Sequence, residues 1–104
     1  MTVNLLTDEK ILVEKTPANL FKGMEAVGGK LTITDKRLIF NAHKLNLQGG
    51  ATEIHLTDID SVTKASTFKI IPNRLIVHTK EGKTYKFVVY KRDKLWQLIS
   101  DHLQ

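Results

Sequence analysis

The chain alternates apolar and polar residues along most of its length, and this period of two changes only once. Leu31 and Ile33 alternate with Lys30, Thr32 and Thr34. Leu75, Val77 and Thr79 alternate with Arg74, Ile76 and His78, and Tyr85, Phe87 and Val89 with Lys86 and Val88. Neighbouring side chains of a strand point to opposite faces, so each such stretch gives one face to a core and the other to solvent. After Tyr90 the period lengthens. Leu95, Trp96, Leu98, Ile99, His102 and Leu103 follow the i, i+1, i+3, i+4, i+7, i+8 spacing of one wide helical stripe starting near Arg92. Asp93 falls in the first turn of that helix, where a negative charge suits the macrodipole. The pattern predicts antiparallel strands closed by one helix and excludes alternating βα units.

Turn chemistry sets the expected boundaries. A first strand runs over Lys10–Lys15 and stops at Thr16-Pro17, because proline has no amide for the ladder. Residues 18–22 form an irregular connection. The second strand is Ala26–Thr34, with Gly28-Gly29 inside it marking a bulge or bend. Asp35-Lys36 turns into a third strand, Arg37–Ala42. A longer connection, His43–Gly50, leads to a fourth strand, Thr52–Leu56, and Thr57-Asp58 links it to a fifth, Ile59–Ala65. Pro72-Asn73 has the chemistry of a β-turn before the sixth strand, Arg74–Thr79. Lys80–Lys83 is a hairpin turn, with Gly82 at positive φ, leading to the seventh strand, Thr84–Tyr90. The expected fold is mainly β: a partly open barrel of seven antiparallel strands in two bent sheets, capped by the C-terminal helix with Trp96 as its plug. A chain of 104 residues supports one core, so residues 1–104 are read as one domain with its core at about 8–103.

Most catalytic chemistries find no support. No cysteine is present, which removes disulfides, thiolate metal sites and a cysteine nucleophile. His43, His55, His78 and His102 form no zinc motif, and Asp58-x-Asp60 lacks the glycine and distal glutamate of a calcium loop. No metal or other cofactor is expected. Neither a Gly-x-Ser-x-Gly elbow nor a phosphate-binding glycine loop occurs. The reading is of a non-enzymatic module. The apolar runs are too short to span a bilayer, and the first residues lack the pattern of a secretory signal, so the expected location is cytoplasmic or peripheral at a membrane.

Charge gives the binding reading a direction. Between Ser61 and Arg92 there are eight basic residues and one acid, Glu81, a net +7, while the whole chain carries +5. Lys64, Lys69 and Arg74 bracket the fifth-to-sixth connection, with Phe68, Ile70 and Ile71 between them, and Lys80 and Lys83 mark the last hairpin. Apolar residues flanked by lysines suit an anionic membrane interface. The same residues also suit a strand edge packed on its neighbours. A second candidate surface comprises Lys15, Lys22, His43, Asn46 and Gln48. The expected partners are anionic lipid headgroups or a protein, including a second copy of the chain through a strand edge. Nucleic acid ranks lower because few aromatics are placed for base stacking.

Three stretches carry a family resemblance: Gly29–Phe40 (GKLTITDKRLIF), Ile54–Val62 (IHLTDIDSV) and Leu75–Phe87 (LIVHTKEGKTYKF). Together they resemble the GRAM domain, a branch of the pleckstrin-homology (PH)-like fold. The resemblance implies a small PH-like barrel that acts as a binding or adaptor module. In PH-like domains that bind phosphoinositides, basic residues lie on the first two strands and their loop. Lys15 and Lys22 match such places, but Met24 stands where an arginine is expected.

Overall fold

A computed structural model describes residues 5–43 and 51–103. Its strands are β1 (Ile11–Lys22), β2 (Glu25–Thr34), β3 (Arg37–Ala42), β4 (Thr52–His55), β5 (Ile59–Thr67), β6 (Ile71–Thr79) and β7 (Thr84–Val89). A 3-10 turn, Leu56–Asp58, joins β4 to β5, and helix α1 spans Arg92–Asp101. All pairings are antiparallel. The strands form one hydrogen-bonded sheet ordered β4-β3-β2-β1-β7-β6-β5, rather than two. β1 makes the join: it is long enough to pair with β2 along its length and with β7 from Ala18 to Leu20. The edge strands β4 and β5 do not pair, so the sheet is not closed.

The alternation predicts the core-facing set, but at the β2–β3 end the opposite face is buried as well, at Thr32, Thr34 and Ile39. Leu31, Ile33, Leu38, Phe40, Leu75, Val77, Phe87 and Val89 are all buried in the core. Phe40 and Phe87 meet edge-to-face, with ring centroids 6.1 Å apart. Leu95 and Ile99 of α1, rather than Trp96, sit deepest against the sheet. Burying two such aliphatic side chains contributes about 3–6 kcal/mol. Trp96 is half-buried at the margin, and its Nε1–H donates to the Val62 carbonyl of edge strand β5 at 2.8 Å.

The first strand differs from expectation. It continues through Pro17 to Lys22, taking in the segment expected to be irregular. At Pro17 the pairing with β7 has not begun, so the strand has a neighbour on one side only, and a missing amide is tolerated there. The bulge is in β1 as well. Register shifts fall between Ile11 and Val13 and between Val13 and Thr16, and Lys15 sits at φ +52°. β2 passes through Gly28-Gly29 in regular register. Gly29 serves close approach instead: a Cβ there would collide with the Asn41 carbonyl oxygen and lie 2.7 Å from the Phe40 ring.

The segment before β1 folds back over β2 and β3. Glu9 is buried and receives Arg37 Nε–H at 2.8 Å, Arg37 Nη2–H at 2.9 Å and the Thr34 hydroxyl at 2.6 Å. Arg37 also donates to Glu53 Oε1 of β4 at 2.7 Å. These hydrogen bonds, led by those from Arg37, hold the Glu9 carboxyl at about 2, against an ordinary 4.5, and burial opposes them.

Candidate functional site

The β5–β6 hairpin breaks the usual rule for its turn. Ile70 N–H donates to the Thr67 carbonyl at 3.1 Å, and the two residues between, Phe68 and Lys69, sit at φ +53° and +60°. Positive φ at both central positions is the sense of a type I′ turn, which favours Asn-Gly. A bulky phenylalanine there is strained. The expected turn at Pro72-Asn73 instead lies inside β6, because the pairing of Ala65 with Arg74 and Thr67 with Ile71 places the tip before it. Phe68 is 87% exposed, Ile70 80% and Ile71 50%.

The base of this hairpin is braced. Arg74 Nε–H donates to Thr67 Oγ1 at 3.1 Å, and that hydroxyl donates to Asn73 Oδ1 at 2.9 Å. The Arg74 guanidinium also lies over the Phe21 ring at 5.2 Å. Arg92 donates to the Ala65 carbonyl at 2.9 Å and to Ser66 Oγ at 3.1 Å. A fixed base beneath an exposed apolar tip is a rigid way to present Phe68 and Ile70.

A cleft of about 530 Å³ opens beside the hairpin. It crosses from His43 and Gly28 over Asn19 of β1 to Val88 of β7 and Ile71 of β6, with Tyr90 at its rim, 80% exposed. Among the described residues no Lys, Arg, Asp or Glu lines it. A side chain at Gly28 would enter this space, meeting Asn19 Oδ1 at 3.2 Å and the His43 ring at 3.4 Å.

The structure divides the basic residues singled out in the sequence. Lys69 is exposed at the tip, with no ion pair among the described residues. Lys64 faces the helix: its Nζ lies 4.7 Å from the centroid of the Trp96 ring and 3.7 Å from Asp93 Oδ1. Asp93 is held below the usual carboxylate range by its hydrogen bond from Arg92, with Lys64 adding to the effect. Lys80 and Lys83 belong to the β6–β7 turn, at the far end of β6 from Phe68, roughly 26 Å away at the rise of an extended strand. Of the second candidate surface, His43 lines the cleft, Lys15 sits on the β1 bulge and Lys22 at the β1–β2 turn. Asn46 and Gln48 lie outside the described residues. Apart from His43, which the sequence singled out, the cleft left little sequence signal, because residues from five parts of the chain line it.

Of the two sheet edges, β5 is partly covered, its Val62 and Ala65 carbonyls taken by Trp96 and Arg92. β4 has only four residues, one of which, Glu53, is paired with Arg37. Short or covered edges discourage strand addition.

Known structures share this architecture. The C-terminal domain of an unknown protein from Leishmania infantum is similar at a TM-score of 0.76 and 23% identity, over 94% of this chain and 88% of that one. A structure of the linker-DH/PH domains of p115-RhoGEF is similar at 0.72 and 18% identity, over 93% of this chain and 30% of that one. The N-terminal PH domain of human ARAP2 is similar at 0.67 and 12% identity, over 99% and 85%. At these identities the likeness establishes the fold, which is PH-like. No curated protein sequence matches the chain. A family model for the GRAM domain matches residues 1–103, so the chain belongs to the GRAM domain family.

Proposed function

We infer that this protein is a non-enzymatic binding module that docks weakly on an anionic membrane surface through the β5–β6 tip. The observation that carries this reading is the strained Phe68-Lys69 turn, which presents two exposed apolar side chains with a lysine between them. In a membrane interface Phe68 and Ile70 would enter the headgroup region while Lys69 meets lipid phosphates. Lys91, next to Tyr90, is a second exposed cation near the same end. Each such cation contributes about 1 kcal/mol on an anionic leaflet. Lys64 and Arg74 add less, because their charges already face Asp93 or aromatic rings. The resulting affinity is modest and salt-sensitive. On this reading the protein works at the cytoplasmic face of a membrane, where anionic lipids concentrate.

Sedimentation with phosphatidylcholine vesicles, with and without phosphatidylserine, tests the reading at low and physiological salt. The protein is expected to sediment only with the anionic vesicles and less at higher salt, and Phe68→Ser/Ile70→Ser to remain in solution. Equal sedimentation of the variant would remove the tip from the account. The uncharged cleft favours a second reading, in which a protein segment is the partner and Tyr90 and Ile71 its contacts.

A further inference from the structure

At the end of the molecule away from the hairpin tip lies another pocket, of about 360 Å³, with the opposite electrostatic character. Four nitrogen-bearing side chains reach it from four elements: Lys36 from the β2–β3 turn, His55 from the end of β4, Lys80 from the β6–β7 turn and His102 just past α1. Two backbone bonds fix where the lysines start. Leu56 N–H donates to the Lys36 carbonyl at 2.9 Å, and Lys80 N–H donates to the Asp58 carbonyl at 2.8 Å. The two lysines therefore flank the 3-10 turn, and Thr57 at its centre adds a hydroxyl to the lining. His102 Nδ1 lies 2.9 Å from the Leu98 carbonyl. A carbonyl only accepts, so Nδ1 carries the proton and Nε2 of that tautomer is an acceptor, which makes His102 a wall of the pocket.

The charges in this pocket do not balance. Its one acid among the described residues, Asp35, has Oδ1 on the Lys10 N–H at 2.9 Å. Neither Lys36 nor Lys80 has an ion-pair partner among the described residues. Two lysines, a threonine and two histidines thus line a pocket that holds one tethered carboxylate. Two lysines without an ion-pair partner on one pocket favour an anion there. Leu6 closes one wall, and its N–H donates to Glu9 Oε1 at 2.8 Å, which ties that wall to the Glu9–Arg37 pair. The volume suits a small solute or a headgroup.

We propose that this pocket binds a phosphate monoester dianion, with Lys36 and Lys80 as paired cations and Thr57 and His55 as hydrogen-bonding groups. Lysines act on phosphate as point charges, and two of them match a dianion. The phosphate belongs either to a free solute or to a lipid headgroup. The site is separate from the hairpin tip and does not depend on the membrane reading.

Inorganic phosphate and glycerol phosphate titrated into isotope-labelled protein, followed through amide shifts, test it. Saturable shifts are expected at residues 36, 55, 57, 80 and 102. In Lys36→Ala/Lys80→Ala the affinity should fall about thirtyfold, roughly fivefold per lysine, with an unchanged melting temperature because both side chains are exposed. To separate the sources, Phe68→Ser/Ile70→Ser, which lacks the tip contacts, is sedimented with phosphatidic acid vesicles. Retention that the added lysine substitutions abolish assigns a headgroup, and binding in solution without retention assigns a free solute. No saturable shift, shifts scattered over surface lysines, or unchanged affinity in the double lysine variant would overturn the proposal.

Discussion

Replacing Phe68-Lys69 with Asn-Gly should make the protein more stable and worse at binding membranes. Both residues occupy the left-handed region, which costs an ordinary side chain about 1–2 kcal/mol each. Asparagine tolerates that region and glycine enters it freely, at some cost in unfolded-chain entropy. Little packing is lost, since Phe68 is 87% exposed and Lys69 lies at the tip. The net gain is about 1–2 kcal/mol. For a domain near this size 1 kcal/mol moves the melting temperature by about 4–8 °C, so Phe68→Asn/Lys69→Gly should melt roughly 4–16 °C higher in a circular dichroism scan. The same change removes the principal apolar anchor and one cation, and vesicle binding should fall at least tenfold, with the lysine supplying about 1 kcal/mol of that loss. The joint outcome is the test, because a stability–function trade-off predicts opposite signs. A lower or unchanged melting temperature would show that the turn is not strained. A higher one with undiminished sedimentation would show that the strain serves no membrane contact.

Two further outcomes follow from the fold. Glu9→Gln should lower stability at neutral pH: a carboxyl held at about 2 rather than 4.5 is favoured in its charged state by roughly 3 kcal/mol. This stabilisation is fully present above pH 4.5 and fades as pH falls toward 2, so the gap in melting temperature between the two proteins should close over that window; a gap independent of pH would refute the charge argument. Gly29→Ala should cost at least about 2 kcal/mol, because its methyl group meets the backbone of β3, and urea denaturation giving an unchanged midpoint would show that the two strands separate more easily than their spacing indicates.

The parts of this fold that were legible in the sequence are those where local chemistry and tertiary pairing agree. β3 matches its expected bounds, Arg37–Ala42, because the apolar run Leu38-Ile39-Phe40 lies between a polar turn and a longer connection. The β6–β7 turn was legible because Gly82 supplies the positive φ it needs, observed at +93°. The departures have one cause: pairing overrides local preference. Pro17 should end a strand, yet β2 holds it in register opposite Lys30 while its other side has no partner to lose. Pro72-Asn73 should form a turn, yet the ladder carries past it, and a register shift between Ala65 and Thr67 pairs Thr67 with Ile71 and leaves the tip at Phe68-Lys69, residues with no turn propensity. The acid opposite Arg37 was hidden for a related reason, since Glu9 reaches it only when the preceding segment folds back across β2. Natural sequences are locally consistent, and their exceptions concentrate where something other than folding was selected. Pro17 and Glu9 have visible compensation in a one-sided strand and a satisfied ion pair. Phe68 has none within the fold: its ring is exposed, its backbone strained and an Asn-Gly turn would fit better. A hairpin braced by Arg74 and Arg92 to hold such a residue outward is better explained by what it touches than by what it stabilises.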